Sequence, residues 1–62
     1  MPKAEDHQPT IVRRLLAEGW KNEGGKEHDK FTKAGRKPIF VPRHRWLSPG
    51  VARNIAKAAG WN

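Results

Sequence analysis

The chain has 62 residues, no cysteine, and 13 Lys and Arg against 6 Asp and Glu, a formal net charge of +7. That length allows one small domain, 1–62, with a single thin core, and excludes a deep enclosed pocket for a metabolite. The missing cysteines exclude disulfides and thiolate metal sites, and the N-terminus MPKAEDHQPT lacks the apolar stretch of a signal peptide or membrane span, which together suit a cytoplasmic protein.

Residues 1–8 are polar and read as a flexible tail. In TIVRRLLAEGW, Ile11, Val12, Leu15 and Leu16 recur at helical spacing while Arg13, Arg14 and Glu18 face away, predicting an amphipathic helix over 9–18. Pro9 suits its first turn and Gly19 its C′ position. WKNE at 20–23 is a weak strand, closed by Gly24-Gly25, whose accessible positive φ values suit a tight hairpin. HDKFTK at 28–33 alternates, with His28, Lys30 and Thr32 on one face and Asp29, Phe31 and Lys33 on the other. Gly35 marks a second turn. PIFVP at 38–42 is a short strand with Ile39 and Val41 on one face, bounded by its prolines. Ser48 as N-cap, Pro49 at N1 and the stripe Val51, Ala52, Ile55, Ala56 and Ala59 predict a closing helix. Gly60 then takes C′, and Trp61 folds back as in a Schellman cap. The expected fold class is α+β, in the order α-β-β-β-α, with two helices on one face of a three-stranded antiparallel sheet and the other face open.

Between Lys26 and Arg45 lie Lys26, Lys30, Lys33, Arg36, Lys37, Arg43 and Arg45, opposed only by Glu27 and Asp29. Such a segment attracts phosphate backbones through counterion release, although many charge runs are only solvated faces. A phosphate-binding loop is excluded, because Gly25 stands where its lysine should be. Zinc is disfavoured by the distance between His28 and His44 and the absence of cysteine. Ser48 reads as a cap, not a nucleophile. The imidazoles remain. His7 lies in the tail and reads as solvated. His44, in PRHRW, reads equally well as a loop residue within a basic patch. His28 opens the central strand beside Lys30 and near Lys26, and an imidazole is the side chain suited to general-base work near neutral pH. A neutral imidazole amid cations could take the proton of an RNA 2′-OH, with no metal or cofactor. Among the aromatic residues, Trp20, Phe31, Phe40, Trp46 and Trp61 could stack on unpaired bases. Trp20, Phe31 and Trp61 read as core, and Trp46 as the best candidate for an exposed contact.

LLAEGW, GGKEHDKF, IFVPRH and LSPGVARNIAKAAGW together resemble HicA toxins, over roughly residues 11–61. The resemblance implies a double-stranded-RNA-binding-domain-like fold. It also implies a ribosome-independent endoribonuclease acting on mRNA, neutralised when a HicB-like antitoxin covers the active face. The family's catalytic histidine follows a glycine by three positions, often as Gly-Ser-x-His; Gly25 and His28 match, while Lys26 replaces the serine. His28 is thereby the expected catalytic residue, and His44 matches a recurrent family histidine of unassigned role. Lys26, Lys30, Arg43, His44 and Arg45 are the expected RNA contacts, the cations among them chosen on charge. No metal or cofactor is expected. The principal rival is a non-catalytic RNA-binding module of the same fold. A DNA-binding helix-turn-helix is weaker, because helix 48–59 carries only Arg53 and Lys57 as basic residues.

Overall fold

A computed structural model describes residues 4–61. Its elements follow in the order α1 (Gln8–Ala17), β1 (Lys21–Asn22), β2 (His28–Thr32), β3 (Ile39–Pro42) and α2 (Pro49–Ala59). The three strands form one antiparallel sheet in the order β1-β2-β3. This is the expected α+β arrangement, with strand boundaries moved inward.

Alternation along the strands decides which face is covered. Phe31, Ile39 and Val41 are buried against Ile11 and Leu15 of α1 and against Ala52, Ile55 and Ala59 of α2. Phe31 is wholly buried, and burial of a side chain this size contributes about 1.5–3 kcal/mol. The small side chains of Ala52, Ala56 and Ala59 let α2 approach the sheet closely. Leu47 adds an anchor that no sequence periodicity marked, since it lies outside every element. Leu16, placed by spacing on the apolar stripe of α1, is half exposed; Ile11 and Leu15 are the buried contacts of that helix. Trp20 is buried as expected, and its indole N–H has no hydrogen-bond partner among the described residues.

The second helix ends as its sequence dictates. Ser48 accepts a hydrogen bond from the Val51 N–H at 3.4 Å, and Gly60 takes a left-handed conformation at φ 80°. The Trp61 N–H then reaches the Ala56 carbonyl at 2.8 Å and the Gly60 N–H reaches Lys57 at 3.2 Å, closing a Schellman cap. Trp61 packs half-buried on the core's margin, consistent with the expected core role.

Trp61 also ties the two helix ends together. Its indole N–H donates to Glu18 at 2.8 Å, Arg14 Nε donates to the same carboxylate at 3.1 Å, and the Arg14 guanidinium lies 4.3 Å from the indole ring centre. The hydrogen bond from Trp61, helped by Arg14, holds the Glu18 carboxyl below its ordinary pKa. A depressed folded-state pKa stabilises the fold above the unfolded value and loses that contribution as pH falls through the folded one. Thermal unfolding of the parent and of Glu18→Gln, compared from neutral pH downward, should therefore show an advantage for the parent. That advantage should shrink through the glutamate range and below. A difference independent of pH would remove Glu18 ionisation as its source.

Residues 4–8 are more ordered than their polarity suggests. The Leu47 N–H donates to Asp6 and the Gln8 N–H to Arg45, both at 2.8 Å, and His7 bridges to Trp46. These bonds order residues 6–8 of the segment expected as a flexible tail and let α1 begin at Gln8, while residues 1–3 of that segment lie outside the described residues. His7 is half-buried, not solvated. Its Nδ1 lies 2.8 Å from the Thr10 hydroxyl, and its ring centre is 4.7 Å from that of Trp46.

Candidate active face

The connection from β1 to β2 is looser than a tight Gly-Gly hairpin. Residues 23–27 span it, and the Glu23 N–H donates to Lys30 at 2.7 Å while the Lys30 N–H donates to Gly24 at 3.0 Å. Glu23 and Gly24 therefore oppose Lys30 together, a local bulge. Asn22 Oδ1 takes the Gly24 N–H at 2.7 Å and keeps it out of the ladder.

Gly25 sets the approach to His28. It adopts φ 149°, and a Cβ there would collide with the His28 carbonyl oxygen. The three-residue spacing between glycine and histidine is thus a contact, in which bare Cα packs on the backbone of the histidine. His28 is the first residue of β2, is exposed, and pairs with Pro42 across the sheet.

Arg43 holds this loop from the far side. Its guanidinium donates to Asp29 from Nε at 3.0 Å and from a terminal nitrogen at 2.8 Å. It also donates to the Lys26 carbonyl at 2.8 Å and to the Gly25 carbonyl. Alternation explains why: Arg43 continues the parity of Ile39 and Val41, and Asp29 faces Val41, so both belong to the helix-covered side. Charge alone groups Arg43 with the RNA contacts, but its guanidinium is bonded to Asp29 and to the loop that precedes His28. A surface ion pair by itself contributes only about 0–1 kcal/mol, so its importance is positional.

Replacing Arg43 with alanine should speed amide exchange over residues 25–29 and, for the endoribonuclease activity expected from the sequence, should lower kcat with little change in KM. Arg43→Lys should not restore activity, because an ammonium cannot span one carboxylate and two carbonyls as a planar fork does. A purely KM effect would instead assign Arg43 to substrate binding.

The open sheet face gathers His28, Lys30 and Thr32 from β2 with Phe40 and Pro42 from β3. Lys21 joins it from β1 opposite Thr32, a cation that sequence reading had not singled out and that only the hairpin register reveals. Thr32 donates to Glu23 at 3.0 Å on the same face. Lys26 is exposed in the loop before His28, and His44 and Arg45 are exposed on the segment after β3. Trp46 is 63 % exposed as anticipated, although one side of it meets His7. Phe40 is 57 % exposed on the face itself. Among the described residues, no group of three or more His, Cys, Asp or Glu could hold a metal ion, and no helix is long and apolar enough to cross a membrane.

A family model described as the HicA toxin of bacterial toxin–antitoxin systems matches residues 9–61. No curated protein and no solved structure matches the chain.

Proposed function

The chain belongs to the HicA toxin family of bacterial toxin–antitoxin systems, and from that premise we propose that it is an endoribonuclease with His28 as general base. The observation that carries this reading is an exposed histidine held at the start of β2 by Gly25, on a face that also presents Lys30. His28 takes the proton of a 2′-OH, and the 2′ oxygen attacks the adjacent phosphorus. The bond to the 5′ oxygen breaks, leaving a 2′,3′-cyclic phosphate on one product and a 5′-hydroxyl on the other. Water, which an open face admits, returns a proton to the leaving oxygen. Lys30 and Lys26 offset the charge that develops on the non-bridging oxygens, and His44 and Arg45 extend the path for the RNA backbone. Lysine at position 26 thereby contacts phosphate where relatives often carry serine. Arg43 serves by fixing the loop.

Regulation follows from the same exposure. The family implies a HicB antitoxin as partner, and a protein covering the His28 face would exclude RNA without altering the toxin's fold. Incubating the purified toxin with an mRNA and a chelator tests the activity. Discrete cleavage products are expected; RNA that is bound but intact would turn the reading toward a non-catalytic RNA-binding module.

A further inference from the structure

We propose that Phe40 is a stacking platform for one unpaired nucleobase next to the cleaved bond, so that the toxin holds its RNA as a single strand. This inference rests on the nuclease reading for its position and on the sheet geometry for its chemistry. Phe40 is 57 % exposed although both neighbours in β3, Ile39 and Val41, are buried. A large apolar ring has been left on the face that the helices do not cover.

Its placement beside His28 follows from backbone bonds. Both polar groups of Lys30 face β1, through the bonds to Glu23 and Gly24. The pair Lys30–Phe40 is therefore a non-hydrogen-bonded one, in which facing Cα atoms approach to about 4.5 Å. His28–Pro42, two residues along, has the same character. Pro42 fits there because its missing N–H falls on the free edge of the sheet. Phe40 is thus directly across from Lys30 and diagonal to His28, and diagonal partners lie about 7–8 Å apart.

An aromatic ring at one side of a row of cations suits a single strand, whose bases turn a π-face outward while phosphates track the charges. Lys21 and Lys30 supply those charges on the same face. A duplex keeps its bases paired inward and offers the ring nothing comparable. The occupant is accordingly a base of single-stranded RNA, one nucleotide from the bond that is cleaved.

Binding is best measured in a His28→Ala background, which leaves the RNA whole, using a short oligoribonucleotide and a duplex of the same sequence. Adding Phe40→Ala should weaken single-strand binding about 5- to 150-fold and leave duplex binding unchanged. Phe40→Trp should restore it. Single abasic substitutions, moved along the oligonucleotide, should reveal one position whose loss matters with Phe40 and no longer matters with alanine there.

Equal loss on single strand and duplex, or no abasic position sensitive to Phe40, would overturn the platform. So would RNA binding untouched by Phe40→Ala when binding of a HicB-like antitoxin is weakened, which would assign the ring to protein docking. Because cleavage by the unaltered protein is scored separately, stacking without cleavage would reject the nuclease reading alone. Cleavage with no Phe40 effect would reject the platform alone.

Discussion

His28→Ala should abolish RNA cleavage and growth inhibition while leaving the protein folded. Loss of a positioned general base removes about 10²–10⁴-fold in rate, and on an open face little else is available to replace it. The imidazole is exposed, so its truncation should change unfolding free energy by no more than about 0.5 kcal/mol. Thermal unfolding and a cleavage time course on the same preparation separate these effects. An unfolded variant would make His28 a structural residue, and a fully active one would exclude it from the chemistry.

The two adjacent glycines should behave very differently. At Gly24 an added Cβ meets nothing within 4 Å, so Gly24→Ala should cost only the left-handed backbone penalty of about 1–2 kcal/mol. At Gly25 the same methyl strikes the His28 carbonyl. Gly25→Ala must therefore displace the start of β2 or the loop that Arg43 holds, and either movement carries the imidazole with it. A misplacement on the order of 1 Å can cost about a hundredfold in rate. Gly25→Ala should thus approach the inactivity of His28→Ala, while Gly24→Ala keeps its activity and loses some stability. Equal activity in the two variants would show that the glycine contact does not position His28.

Much of this arrangement is legible in the chain itself, for reasons that differ by residue. The closing helix announces both ends, because Ser48, Pro49 and Gly60 each carry a local preference that tertiary contacts did not override. Alternation puts His28 and Lys30 on one face, which the register with β3 bears out. Position-by-position charge was a poorer guide. Arg43 and Lys30 look alike as cations, yet opposite parity turns one into the loop's clamp and leaves the other on the open face.

Other features depended on contacts between distant parts of the chain. The pairing of Asp6 and Gln8 with residues 45–47 joins two segments that lack strand periodicity, so no local pattern could reveal it. Leu47 is buried by that pairing and by the core, without a helical or strand neighbour to mark it. Phe40 was one aromatic among several until burial separated it from Phe31 and Trp20. The family likeness pointed to the glycine–histidine spacing. Its physical reason, bare Cα against a carbonyl, is visible only in three dimensions.

The central claim, a histidine acting on the 2′-OH, is tested most directly by one substitution in the RNA. Single-turnover cleavage should be followed on an oligoribonucleotide with a 2′-deoxy sugar only at the nucleotide whose 3′ bond is cut. A general base working through that hydroxyl predicts no cleavage at the modified bond, and a 2′,3′-cyclic phosphate at the end of the product from unmodified RNA. Undiminished cleavage at the deoxy position would contradict it.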